Sequence, residues 1–121
     1  MRTSLASIAA AGLLALLAAG CAPTPERSAD QGDRFTFRTA HSPYAAAICI
    51  ARNARGGAGN TAQERTVGDS STEVIVRARD GEALAVARVD NDGTFSNASV
   101  LVTSAVRSDR DGFARQLMQG C

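Results

Sequence analysis

Residues 72–103 read TEVIVRARDGEALAVARVDNDGTFSNASVLVT, three runs of alternating apolar and polar side chains divided by Asp80-Gly81 and by Asp90-Asn91-Asp92-Gly93. Alternation at period two interrupted by Asp-Gly signals implies an antiparallel meander. A two-residue turn at Asp80-Gly81 sets Arg79 opposite Glu82, Ala78 opposite Ala83, Val76 opposite Ala85, Val74 opposite Ala87 and Glu73 opposite Arg88. One face is then small and wholly apolar: Val74, Val76, Ala78, Ala83, Ala85, Ala87 and Val89. The other is mixed, with Ile75, Leu84 and Val86 among Glu73, Arg77, Arg79, Glu82 and Arg88. The second connection can turn at Asn91-Asp92 or at Asp92-Gly93. Because a two-residue slip preserves facing, both put Ala98, Val100 and Val102 on the small face and Phe95 and Leu101 on the mixed one.

A small flat face asks for a helix that can approach closely. Ser42-Pro43 supplies an N-cap and a first-turn proline, and Tyr44, Ala47, Ile48 and Ala51 follow at the i, i+3, i+4, i+7 spacing of one helix face, flanked by Ala45, Ala46 and Cys49. The pattern predicts a helix over 43–54 that ends at Arg55-Gly56-Gly57, with glycine in a left-handed cap. Phe35-Thr36-Phe37 predicts a short strand, and a further strand near Arg65–Val67 is expected ahead of Thr72. Ser108 with Asp111 has the spacing of a capping box, and Phe113, Ala114, Leu117 and Met118 then form a short amphipathic helix ended by Gly120. The fold class is α+β: an Ala-rich helix on a three- to four-stranded antiparallel meander, with a short C-terminal helix.

Ahead of this domain the composition changes. Met1-Arg2-Thr3-Ser4 precedes a nearly unbroken apolar stretch from Leu5 to Ala19, with Gly20 and Cys21 next. A basic start, a short apolar core and small residues are the parts of a secretory signal, and the stretch falls short of the roughly 20 apolar residues needed to span a bilayer. Leu17-Ala18-Ala19-Gly20-Cys21 resembles the bacterial lipobox. That resemblance implies a lipoprotein: a diacylglyceryl group on the Cys21 sulfur, cleavage after Gly20 and acylation of the new amine. Ala22, where an Asp would favour retention in the inner membrane, implies the outer membrane facing the periplasm. On this reading 1–20 is the signal peptide, 21–33 is the lipidated cysteine with a Pro-containing polar tether, and 34–121 is the globular domain.

All thirteen basic side chains are arginine, against twelve carboxylates, and removal of 1–20 with Arg2 leaves the mature chain formally neutral. That balance argues against a nucleic-acid partner. The mature chain holds only eighteen Leu, Ile, Val and Phe residues, so its core is thin and needs reinforcement. With Cys21 acylated, Cys49 and Cys121 remain as two thiols in an oxidising compartment, and a disulfide between them is the expected use.

Sites for chemistry are few. His41 is the only histidine, and no serine near it sits in a nucleophile-elbow context. Ligands are too few for zinc, and aligning Gly93 with the glycine of a calcium loop puts Arg88 at the first ligand position and Ser99 where a bidentate Glu belongs. No cofactor and no metal are expected. The candidate partner surface is the mixed face: Ile75, Leu84, Val86, Phe95 and Leu101, flanked by Arg77, Arg79 and Arg88. An apolar stripe of this kind is more often covered, here by the C-terminal helix or the Phe35–Phe37 segment. The expected function is a non-enzymatic binding or scaffolding module, held to the membrane by lipid on Cys21, with an envelope protein or the cell wall as partner. A periplasmic inhibitor of a hydrolase such as lysozyme is the second expectation, and a small enzyme centred on His41 or the cysteines the third.

Overall fold

The computed structural model describes residues 32–57 and 59–121. The expected signal peptide, Cys21 and most of the expected tether lie outside the described residues. The elements run β1 (Gly32–Thr39), α1 (Pro43–Arg55), β2 (Thr61–Val67), β3 (Ser71–Arg77), β4 (Ala83–Asp92), β5 (Phe95–Thr103) and α2 (Arg110–Met118). They form one antiparallel sheet in the order β1-β5-β4-β3-β2. The meander expected from the sequence is β2 to β5, and β1 adds a fifth strand by pairing with β5. Gly32 and Asp33 belong to that strand, so the sheet takes in the last two residues assigned to the tether. Among the described residues no helix is long and apolar enough to cross a membrane.

The small face forms as its sequence implies except beside the β3–β4 loop, where Ala78 and Ala83 stay half-buried outside the core. Val74, Val76, Ala85, Ala87, Val89, Ala98, Val100 and Val102 are fully buried, and both helices lie on that side. Alanine rows on strand and helix let the backbones approach closely, and the volume is filled by valines, Ile50 and Leu117. The face α1 turns inward is Ala46, Ala47, Ile50, Ala51 and Ala54, not the Tyr44-Ala47-Ile48-Ala51 stripe that the spacing suggested. Tyr44 is 62% exposed. A bed of Ala and Val accommodates the alanine-rich side of α1 with a single branched anchor, Ile50, and leaves the bulkier Tyr44 outside.

Turn chemistry departs from expectation in three places. The β3–β4 connection is a three-residue loop: Ala78 N–H donates to Glu82 O at 2.8 Å, Gly81 N–H donates to Ala78 O at 2.9 Å, and Gly81 takes φ +93°. This is a hairpin closed by a residue of positive φ, so Arg79 does not face Glu82 and Ala78 does not face Ala83. The register then slips at a bulge, with Arg77 opposite Ala83 and Val76 opposite Ala85, which leaves Leu84 unpaired. The β4–β5 turn sits at Gly93-Thr94, since Asp92 pairs with Phe95. This lies beyond both sites considered but in the same parity, so the facing of β5 is unchanged. At α1 the cap Gly56 is right-handed at φ −73°, and positive φ arrives at Gly59.

The N-cap of α2 is Asp109 at φ 53°, whose carboxylate accepts from Gly112 N–H at 3.1 Å, so the cap falls one residue after Ser108. Asp tolerates that left-handed conformation better than most residues. The disulfide joins Cys49 of α1 to Cys121, with Cα atoms 5.7 Å apart. Around it, Asn53 Nδ2 donates to Leu117 O at 2.7 Å and to Gln119 O at 2.9 Å, capping the end of α2 from α1. Thr39 Oγ1 donates to Cys121 O at 2.5 Å.

Candidate functional site

Antiparallel partners share a face, so the register lays out the side opposite the helices row by row. One row runs Arg34, Leu101, Val86, Ile75, Gln63 across all five strands; the next runs Thr36, Ser99, Arg88, Glu73, Arg65. A third row holds Arg38, Asn97, Asp90 and Ser71. Neither helix lies on this side, and Phe35 and Phe37, in register with Val100 and Ala98, pack toward the helix layer. The expected cover is therefore corrected: among the described residues nothing overlies the mixed face, because both helices are taken up by the small one.

Of the eight side chains assigned to this surface, Ile75, Val86, Leu101, Arg77 and Arg88 lie on it, the three apolar ones as a half-buried central stripe. Phe95 stands at its margin, 40% exposed, with the Arg38 guanidinium 4.6 Å from its ring centroid. Two leave it. The bulge turns Leu84 against the core, and Arg79, in the turn, places its guanidinium beside Gly59 in the loop after α1. Arg34 and Arg38 were not legible as part of this face, because the facing of β1 on the sheet edge is set by β5, a partner distant in sequence, and Arg65 joins it through the register of β2 with β3. The alternation of Arg34, Thr36 and Arg38 with Phe35 and Phe37 was the available signal.

The charges are arranged in two sets. Arg65 bonds Glu73 at 2.5 Å, Arg88 Nε donates to Asp90 Oδ1 at 3.1 Å, and Asn97 Nδ2 donates to Asp92 Oδ2 at 3.1 Å. Arg34, Arg38 and Arg77 contact no carboxylate among the described residues: Arg34 Nη1 donates to Ser99 Oγ at 2.9 Å and Arg77 Nη1 to Gly81 O at 3.1 Å. Asp90 also accepts from the hydroxyl of Ser71, which is itself buried. That bond, with a smaller contribution from Arg88 and against the opposing effect of burial, holds the Asp90 carboxyl below its ordinary pKa. A depressed carboxylate stabilises the fold above its unfolded pKa and loses that contribution as pH falls through the folded value. Ser71→Ala is expected to move the Asp90 midpoint upward in an NMR titration. The variant's stability deficit at neutral pH should shrink as pH falls through the lower, wild-type midpoint; an unmoved midpoint would contradict the role given to Ser71.

His41 is exposed, and its main chain does the structural work there: the N–H donates to Thr39 Oγ1 at 3.1 Å and the carbonyl accepts from Ser96 Oγ at 2.8 Å. Among the described residues no hydrogen bond joins its imidazole to a serine or a carboxylate, and no cluster of three metal-ligating side chains occurs. A shallow groove along the outer side of α1 is lined by His41, Tyr44, Ile48, Cys49, Arg52 and Gly120. The described residues thus form an α+β domain in which none of them covers one sheet face, apolar at its centre and arginine-bearing at its edges. Comparison with protein-family models, with curated proteins and with solved structures returns no match.

Proposed function

We propose that this chain is a lipid-anchored lipoprotein of the bacterial envelope, tethered to the outer membrane on its periplasmic side through Cys21, whose domain is a non-enzymatic binding module. The observation that carries the binding role is the bare face, where Ile75, Val86 and Leu101 stay half-buried with no described element over them. Apolar centres rimmed by polar groups mark interaction surfaces. The lipobox resemblance supports the anchor. Mass spectrometry of the mature N-terminus tests it: a diacylated and N-acylated Cys21 is expected, and Cys21→Ala should leave the chain uncleaved and unacylated. The binding role is tested by a Val86→Glu, Leu101→Glu variant. With its melting temperature checked against wild type, it should fail to restore a deletion strain; full restoration by the folded variant would defeat the proposal.

A further inference from the structure

Resting on the envelope reading above, we propose that the bare sheet face is a docking surface for an anionic phospholipid bilayer, so that the anchored domain lies flat with its helices away from the lipid. Charge is the first argument. The face carries five arginines against three carboxylates, and Arg34, Arg38 and Arg77 are the ones with no carboxylate partner among the described residues. Guanidinium matches phosphate oxygens in bidentate fashion, and a basic surface is drawn to anionic lipid.

Shape is the second argument. The arginines are spread over strands spaced ~4.8 Å apart across the whole width of the sheet, so no small anion can meet them together. A planar array of headgroups can. The half-buried stripe of Ile75, Val86 and Leu101 at the centre adds apolar area where the sheet meets the interface.

The attachment point is the third. The chain from Cys21 enters the sheet at Gly32, the first residue of β1, and β1 is the edge strand that carries Arg34 and Arg38. Gly32 has φ +125°, and a Cβ there would stand 1.9 Å from Val102 O, so only glycine permits this entry. The residues between Cys21 and Gly32 reach at most about 35 Å, which keeps the basic edge close to the bilayer holding the acyl chains.

The sequence has no tryptophan, so a single introduced one reports its surroundings without background. Gln63→Trp places it on the bare face, in the row of Ile75, and Gln116→Trp places it on the exposed side of α2. The full lipidated chain is reconstituted into vesicles of phosphatidylcholine alone or with phosphatidylglycerol, both containing brominated lipid, after mass spectrometry of Cys21. Expected are quenching and a blue shift for Gln63→Trp only, in the phosphatidylglycerol vesicles only, reversed by salt. Adding Arg34→Gln and Arg38→Gln should weaken docking by about 25-fold, five-fold for each arginine.

A lipidated chain whose Gln63→Trp stays in water on anionic vesicles overturns the docking while leaving the envelope reading intact. Equal quenching at both positions overturns it too. Protection of Gln63→Trp in native envelopes but not in vesicles would assign the face to a protein instead. A chain without lipid on Cys21 overturns the envelope reading and this inference with it.

Discussion

Replacing Cys49 and Cys121 together by serine is expected to lower the unfolding free energy by roughly 4 kcal/mol and the melting temperature by on the order of 20 °C. The bond closes a span of 72 residues, and its principal effect is to shrink the unfolded ensemble, a contribution that grows with loop length. Small domains hold about 5–15 kcal/mol in total, so one cross-link accounts for a large part of what this thin core has. The native contacts around the bond survive the change. Asn53 still holds Leu117 O and Gln119 O, and Thr39 still donates to the Cys121 carbonyl, so α2 stays docked in the folded molecules that remain. Urea titrations of the oxidised protein and the double variant check this directly. A loss below about 1 kcal/mol would mean that the reduced unfolded chain is already compact.

The second large effect separates two isoleucines two residues apart. Ile50 is completely buried and is the largest side chain at the centre of the layer between α1 and the sheet, surrounded by alanines and valines that cannot expand to fill its place. Ile50→Ala should cost about 3 kcal/mol, the transfer of its methyl groups plus the cavity left behind. Ile48 lines the open groove on the outer side of α1, and Ile48→Ala should cost well under that, about 0.5–1 kcal/mol. Equal losses in thermal melts would contradict the rotation of the helix.

That contrast also marks how far the sequence could be read. The strands of the meander and the identity of their small face were legible because alternation survives small errors in the turns. Placing the second hairpin turn two residues early still assigns Ala98, Val100 and Val102 correctly. A bulge is not protected in this way. Asp80-Gly81 serves a two-residue turn and a longer one equally well, and the longer one moved Arg79 into the loop and turned Leu84 to the core.

The rotation of α1 was hidden for a different reason. In a helix padded with alanine, Tyr44 and Ile48 dominate any count of apolar spacing, whereas the sheet selects for closeness and takes the alanine side. The disulfide followed from setting Cys21 aside for lipid, which left two cysteines to pair. For the candidate surface the sequence supplied its centre, Ile75, Val86 and Leu101, but not its basic edge. Arg34 and Arg38 join it through the pairing of β1 with β5, which no local pattern encodes.

The same pairing governs the order in which the domain can assemble. Phe37 finds its partner in Ala98, separated by roughly 60 residues of chain, and such long-range closure slows folding. In a chain that emerges from its N-terminus, β1 comes out first and must wait, unpaired, for the last strand of the sheet. During that interval Phe35 and Phe37 are exposed on a β-prone segment, the kind of stretch that aggregates. Asp33, Arg34 and Arg38 flank them, and charges so placed oppose association of the waiting strand with another copy until β5 arrives.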